Sequence, residues 1–176
     1  MRLAGQAPCL RAPLSSNVRP HVNVRRALPS ETKALSELAL AAKGLWGYSA
    51  AQLAMWANDL RISPESIISE PTFVIEEGGH VAGVVQLNTK EVPWSIEHLW
   101  VHPAAGRRGI ASQLVRHVLR YAHERGQPEL QVDSDPQAEQ FYLQLGGRKV
   151  GEVAAPIEGQ PYRVRPQLLV STENAA

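Results

Sequence analysis

The feature that most constrains the fold is a strand-like segment, a glycine-bearing loop and an amphipathic helix that follow one another between residues 94 and 123. The segment 94–101 is largely apolar, and the loop VHPAAGRRG ends at Gly109. Apolar residues then recur at the four-residue spacing of one helix face, at Ile110, Leu114, Val118 and Ala122. A further strand-like segment, LQVD, follows at 130–133. Such a strand–helix–strand unit requires a crossover between parallel strands.

The segments before this unit predict a short strand from Val22, two helices and an antiparallel hairpin. Ser30 and Ser49 are suitable N-caps for helices over 31–43 and 50–61, and prolines bracket a short stretch at 64–71 that is irregular or forms one further turn of helix. The strands Thr72–Glu76 and His80–Leu87 are joined by Glu-Gly-Gly, a good hairpin signal.

The segments after it predict a second strand–helix–strand unit, also with parallel strands, and a closing strand. Asp135 is the expected cap of a short helix that carries Phe141 and Tyr142, and strands are expected at 148–152 and 167–170. The order β-α-α-β-β-β-α-β-α-β-β predicts an α/β fold: a mixed, mostly antiparallel central sheet flanked by helices.

Composition places the chain among ordinary globular proteins. Its 176 residues suffice for one domain, and a net charge of +1 argues against nucleic acid or a membrane as partner. The single Cys9 suits a reducing compartment, so a cytoplasmic location is expected. The predicted organisation is a disordered or targeting-like tail over 1–21, a domain over 22–170 and a C-terminal tail over 171–176. No metal site is expected, because the histidine spacings do not suit shared ligation.

The loop before the amphipathic helix has the properties of an anion site. The first turn of a helix has backbone N–H groups without partners, and the helix dipole adds partial positive charge there. Gly106 and Gly109 allow close approach, and Arg107 and Arg108 add full charges. These features suit a pyrophosphate, while an ordinary loop with solvated arginines stays an open alternative. The patterns GxxxxGK[ST] and GxGxxG are absent.

Two segments resemble the GNAT superfamily of N-acetyltransferases. VHPAAGRRGIASQL is similar to its acyl-CoA loop, (R/Q)-x-x-G-x-(G/A), in which Gly109-Ile110-Ala111 matches the second half. DPQAEQFYLQLGGRKVGE resembles the segment in which a short helix with Phe-Tyr precedes a glycine turn and a strand. The resemblance covers roughly residues 22–170 and implies a V-shaped splay between the two central parallel strands. It also implies acetyl-CoA as cosubstrate.

The resemblance further implies which residues bind CoA. The strand around Leu99, Trp100 and Val101 would pair with the pantetheine arm, as an added strand does. The pyrophosphate would lie on the loop and the first helical turn, which comprise Gly106, Arg107, Arg108, Gly109, Ile110, Ala111 and Ser112. Gly106 stands where the family has Arg or Gln, so the chain lacks one side-chain donor that Arg107 or Arg108 would have to replace.

Two residues are candidates for the chemistry of acetyl transfer. Tyr142 would protonate the departing thiolate; the alternative is a tyrosine that only packs in the core. Glu97, expected to share a strand face with Leu99 and Val101, would act as base with its pKa raised by desolvation. The opposite face of this strand is expected to carry Ile96, His98 and Trp100. The alternative is that Glu97 is a strand-edge glutamate paired with an arginine.

The predicted function is therefore direct transfer of an acetyl group to a primary amine within a ternary complex. A small amine or a peptide would be the acceptor, and the resemblance allows a homodimer. Trp46, Tyr48 and Trp56 are candidates for a substrate wall with apolar character, or are simply core residues. The alternative function is a domain that binds acyl-CoA without turnover, as a sensor or regulatory module.

Overall fold

The computed structural model describes residues 23–173, which build one seven-stranded sheet flanked by helices. The strands are β1 (Asn23–Arg26), β2 (Thr72–Glu77), β3 (His80–Asn88), β4 (Ser95–Val101), β5 (Glu129–Asp133), β6 (Gly147–Ala154) and β7 (Val164–Ser171). The helices are α1 (Thr32–Gly44), α2 (Ala50–Met55), α3 (Pro64–Ser69), α4 (Ile110–His123) and α5 (Glu139–Gln144). The predicted tail over 1–21, together with Cys9 and Val22, lies outside the described residues.

The sheet is mixed and mostly antiparallel, as the sequence predicts. Its strand order is β1-β2-β3-β4-β5-β7-β6, and β4–β5 is the parallel pair. Both strand–helix–strand units are present, but β7 lies between β5 and β6 and pairs antiparallel with each. The β2–β3 turn is a two-residue hairpin in which Gly78 and Gly79 have φ of 58° and 80°, as a type I′ turn requires.

The first helices differ in part from their predicted bounds. Ser49 caps α2 as expected, accepting a hydrogen bond from the Gln52 backbone N–H at 3.1 Å. The predicted helix over 50–61 ends at Met55 instead, because Asn58 and Asp59 favour turns over helix. Ser30 lies inside a 3₁₀ turn that precedes α1 and is not its cap.

Two apolar clusters cover the two faces of the sheet. One packs α4 and α5 against the sheet, and the other lies under α1 and α3. Gly83 of β3 allows α4 to approach closely, because a Cβ there would lie 2.8 Å from Ile110 Cγ2 and 3.1 Å from Leu114 Cδ1. This contact fixes the first turn of α4 against the sheet, beside the end of β4.

The two parallel strands separate almost at once. Within the described residues, β4 and β5 share one register pair, Ser95 with Gln131, next to a hydrogen bond from Gln131 N to Trp94 O at 2.8 Å. Beyond Ser95 the two strands diverge, which confirms the expected V-shaped splay.

Candidate active site

A cavity of about 1100 Å³ opens where β4 and β5 separate. It runs between the loop before α4 on one side and the end of α1 with the segment that follows α2 on the other. Its remaining walls come from β4, the segment that follows β5, α5, and the connection between β6 and β7. Of the residues predicted for catalysis or CoA binding, seven line it: Glu97, Leu99, Trp100, Val101, Arg107, Ala111 and Tyr142.

One end of the cavity is formed by the first turn of α4. The helix begins at Ile110, slightly later than the expected start near Arg108, with Gly109 as its N-cap at φ 77° and without a side-chain cap. The backbone N–H groups of residues 109–112 have no hydrogen-bond acceptor among residues 23–173. Four neighbouring donors at a helix N-terminus, with Ala111 facing the cavity, fit a bound pyrophosphate.

The two arginines of the loop point to different surroundings. Arg107, at φ 64°, lines the cavity. Arg108 forms an ion pair with Glu77 at 2.8 Å and donates to the Ala104 carbonyl at 3.0 Å. Of the two loop arginines, Arg107 is therefore the one whose side chain is available at the cavity wall.

The glycine at position 106 is not required by the backbone. Gly106 has φ −59° and ψ 153°, which any residue adopts. An added Cβ would lie 3.4 Å from the Pro103 carbonyl oxygen. Ile110, by contrast, has a structural side chain in the core beside Gly83, so only its N–H is available to a ligand.

The strand β4 contains a bulge at Glu97 that alters the predicted alternation of its side chains. Gln86 of β3 pairs with His98 and Leu87 pairs with Ile96, which leaves Glu97 without an opposite residue. Ile96 consequently joins the core cluster on the α4 side, to which Leu99 and Val101 also pack. The prediction that Ile96 faces the other way, with His98 and Trp100, is wrong for this reason.

The carboxylate of Glu97 lines the cavity but is exposed. The expected desolvation of this group is therefore wrong: the bulge turns it toward open solvent. The acidic partners in the ion pairs of the cavity wall are Asp133 and Asp135. Glu97 forms no ion pair among the described residues, so it is not the arginine-paired glutamate of the alternative interpretation.

The neighbouring His98 is a buried packing residue. Its Nδ1 accepts a hydrogen bond from the Trp100 indole N–H at 3.1 Å. Burial lowers the pKa of His98 below its ordinary value, so the ring is neutral at physiological pH.

Tyr142 lies on α5, is almost fully buried, and faces the cavity. Its ring packs edge-on against Phe141 at a centroid distance of 5.0 Å. Burial raises the pKa of Tyr142 above its ordinary value, so the phenol is protonated at neutral pH. Such a group donates a hydrogen bond or a proton.

The opposite end of the cavity contains a buried ionic cluster that the sequence does not predict. We call Lys43, Tyr48, Asp135 and Arg163 the Lys43 cluster. Asp135 Oδ2 accepts hydrogen bonds from Lys43 Nζ at 2.6 Å, from the Tyr48 hydroxyl at 2.7 Å and from Arg163 Nη2 at 3.0 Å. The charged side chains are 11%, 6% and 7% exposed, in the order Lys43, Asp135 and Arg163.

The electrostatics of the Lys43 cluster follow from its burial. Burial lowers the pKa of Lys43, whereas the hydrogen bond to Asp135 and its negative charge raise it. Burial is the larger effect, so the pKa of Lys43 is lowered overall. Burial alone would raise the pKa of Asp135, but hydrogen bonds from Lys43, Tyr48 and the Gln137 backbone lower it overall. The cap that Asp135 was predicted to provide is present, with Oδ1 accepting from Gln137 N at 3.1 Å, and is one of its two roles.

Aromatic rings surround the ammonium group of Lys43. Its Nζ lies 5.0 Å from the centroid of Trp46, 4.8 Å from that of Tyr48 and 4.8 Å from that of Trp56. These are cation–π distances. Trp46 and Trp56 also line the cavity, which agrees with their predicted place in a substrate wall.

Residues 23–173 contain no group of three or more His, Cys, Asp or Glu side chains placed to hold a metal ion. Over the same residues, no helix combines the length and the apolar character needed to cross a bilayer.

Comparison with known proteins agrees with this geometry. Residues 35–146 match the model of the Acetyltransferase (GNAT) family. A GCN5-related N-acetyltransferase from Rhodopseudomonas palustris is 21% identical with a TM-score of 0.72, over 85% of this chain and 95% of that one. No curated protein sequence matches the chain.

Two other solved structures are similar at lower identity. The PaiA N-acetyltransferase from Thermoplasma acidophilum, in complex with coenzyme A, is 14% identical with a TM-score of 0.67, over 85% of this chain and 98% of that one. The ribosomal-protein-S18-alanine N-acetyltransferase from Escherichia coli is 14% identical with a TM-score of 0.64, over 85% and 93%. At such identities the likeness concerns the fold.

Proposed function

Because the chain belongs to the GNAT acetyltransferase family, we propose that it transfers the acetyl group of acetyl-CoA directly to a primary amine. The observation that carries the proposal is the cavity itself. It joins the free N–H groups at the start of α4, the unpaired edge of β4 and the phenol of Tyr142 in one continuous space.

Acetyl-CoA has two parts that suit this space. Its pyrophosphate would accept hydrogen bonds from the N–H groups of 109–112 and charge from Arg107. Its pantetheine arm carries two amides, and within residues 23–173 β4 beyond Ser95 has no neighbouring strand on the β5 side. The arm would pair with the main chain of 99–101 as an additional strand does, which would bring the thioester into the splay.

The chemistry needs no covalent enzyme intermediate. The amine nitrogen attacks the thioester carbonyl carbon, a C–N bond forms, and the C–S bond breaks. Tyr142, protonated at neutral pH, would donate its proton to the departing sulfur and regain one from solvent. Glu97, an exposed carboxylate on the cavity wall, would accept the proton that the amine loses and pass it to water.

The cosubstrate is tested by thermal unfolding with acetyl-CoA, CoA and ATP in parallel. A ligand that binds the native state alone stabilises it by about 2.7 kcal/mol at a hundredfold excess over its Kd. We expect both CoA species to raise the melting temperature and ATP to leave it nearly unchanged. If neither CoA species shifts the melting temperature, the loop does not bind CoA, and the missing side chain at position 106 accounts for the lost affinity.

The role of Glu97 is tested by Glu97→Gln, with the exposed Glu91→Gln as matched control. General-base catalysis contributes about 10²–10⁴-fold, so a loss of this order in kcat/KM is expected near neutral pH. The loss should shrink at higher pH, where more of the amine is already deprotonated. A loss independent of pH would contradict a role in proton removal.

The alternative function is a regulatory or sensor domain that binds acyl-CoA without turnover. One observation supports it. Gly106 removes a donor that the family pattern supplies, and the backbone does not require glycine there. The two functions differ in whether an amine causes release of free CoA.

A further inference from the structure

We propose that the acceptor carries a carboxylate in addition to its amine, and that this carboxylate binds at the Lys43 cluster together with Arg165. The class of molecule is a small α-amino acid with an apolar side chain. The inference rests on the proposed acetyl transfer and specifies its second substrate.

The first support is the charge of the Lys43 cluster. Lys43 and Arg163 share a single carboxylate, that of Asp135, so this buried group has one positive charge in excess. Asp135 already accepts four hydrogen bonds, three on Oδ2 and one on Oδ1. An excess charge away from water is costly, and an entering anion would compensate it.

The second support is Arg165, which also lines the cavity. Its nearest carboxylate oxygen, Asp133 Oδ2, is 3.7 Å away, beyond normal hydrogen-bond length. Its Nε is buried and has no hydrogen-bond acceptor among residues 23–173. The Arg165 side chain as a whole is 43% exposed, so its outer guanidinium N–H groups, which are beyond hydrogen-bond reach of Asp133, are available to a ligand oxygen.

The third support is the distribution of charge along the cavity. Arg163 directly precedes β7 and Arg165 is the second residue of that strand, and both line the cavity. Of the four acidic groups on the wall, Asp133 and Asp135 are engaged with these cations, whereas the exposed Asp59 and Glu97 form no ion pair within the described residues. The unpaired carboxylates suit an ammonium group and the arginine-bearing wall suits a carboxylate, which together describe a zwitterion.

The aromatic residues of the same wall suit the rest of such an acceptor. Trp46, Trp56 and Trp100 line the cavity around the Lys43 cluster. Their rings would cover an apolar side chain, whereas a strongly polar side chain would lose its hydration without new partners.

The experiment compares matched acceptors that differ only in the carboxylate. L-Phenylalanine and L-leucine are each compared with their amides, which lack the carboxylate charge, and every value is corrected for the fraction of amine that is deprotonated at the assay pH. The first readout is kcat/KM for acetyl transfer, and the second is Kd on the CoA-saturated protein, which needs no turnover. A charge-assisted hydrogen bond is worth about 1.5–3 kcal/mol, or tenfold or more, so the acids should exceed their amides by at least about tenfold in both.

A variant then assigns the preference to this wall. Arg165→Gln should bring the values for each acid and its amide to within about threefold of one another in both readouts. Arg148→Gln is the matched control, because Arg148 lies on the neighbouring β6, pairs with Glu129 and does not line the cavity. This control should retain the full preference.

The outcomes separate this inference from the proposed function. Amides that bind and react as well as the acids would overturn the inference and leave acetyl transfer intact. Acids that bind tightly without any amine being acetylated would overturn acetyl transfer and leave the carboxylate site supported. An acid preference that survives Arg165→Gln would overturn the assignment to this wall.

Discussion

Ser95 of β4 pairs with Gln131 of β5, and within the described residues the two parallel strands share no further register pair. The cavity exists because the two strands diverge. If β4 and β5 were paired along their whole length, they would lie side by side and leave no space between them. The side chains that line the opening come from sequence positions as far apart as Lys43 and Arg165. The site is therefore a product of topology as much as of any one motif.

Gly106→Arg is expected to tighten CoA binding. The backbone at Gly106 permits any residue, and a guanidinium there would add a charge-assisted hydrogen bond to the pyrophosphate, worth about tenfold in Kd. Isothermal titration with CoA measures the change. Gly109→Ala is the opposing control, because its φ of 77° is strained for alanine and the substitution should weaken binding. An unchanged Kd for Gly106→Arg would argue against a pyrophosphate at this loop.

The two loop arginines are expected to contribute unequally to CoA binding. Arg107 faces the cavity, whereas Arg108 is paired with Glu77. Arg107→Gln should raise the Kd for CoA by about tenfold and Arg108→Gln by less than about twofold. The loss at Arg107 should diminish as salt is added, since screening weakens an exposed charge. Equal losses for the two variants would contradict the assignment of Arg107.

Tyr142→Phe is expected to slow acetyl transfer while preserving CoA binding. The substitution removes the proton donor but retains the ring that packs beside Phe141, so kcat should fall by about 10²–10⁴-fold with little change in stability. Rapid-quench measurement of the chemical step, together with the Kd for CoA, separates the two effects. A variant with normal kcat would assign Tyr142 to the core alone.

Asp135→Asn is expected to destabilise the protein in a pH-dependent manner. It leaves Lys43 and Arg163 buried without a counter-charge, which costs about 3–5 kcal/mol. The pKa of Asp135 is lowered on folding. Its stabilising contribution is therefore complete above the unfolded value of about 3.9 and declines as the pH falls below it.

Urea denaturation at pH 7 and pH 3 measures this difference. The gap in the free energy of unfolding between the wild type and Asp135→Asn should narrow at pH 3. Asp133→Asn is the control, because its ion pair with Arg165 is long and partly exposed, and it should cost no more than about 1 kcal/mol. A gap that stays constant with pH would show that Asp135 acts by packing and capping rather than by charge.

The sequence predicts much of the fold because local patterns determine it. The Gly78-Gly79 hairpin, the apolar stripe of α4 and the caps Ser49 and Asp135 each depend on neighbours within a few residues. The bulge at Glu97 is different: it arises from pairing with β3, and a single strand read alone has no signal for it. Because of this bulge, the sequence predicts the wrong face of the sheet for Ile96.

The Lys43 cluster escapes sequence analysis for a related reason. Lys43 ends an amphipathic helix and resembles an ordinary C-terminal cation, and Asp135 is fully explained as a cap. Their contact with Arg163 joins α1, the segment after β5 and the start of β7, which only the folded sheet brings together. The sequence contains one signal for the cluster, because three aromatic residues close together in the sequence suggest that their rings share a partner. These residues are Trp46, Tyr48 and Trp56.

The most direct test of acetyl transfer is to incubate the protein with acetyl-CoA and a panel of primary amines, and to measure free thiol and product mass together. If the protein transfers acetyl groups directly, one CoA thiol appears for each amine molecule whose mass increases by one acetyl group, and no acetylated enzyme accumulates. Stabilisation by acetyl-CoA without thiol release for any amine would contradict acetyl transfer. The protein would then be an acyl-CoA-binding domain without turnover.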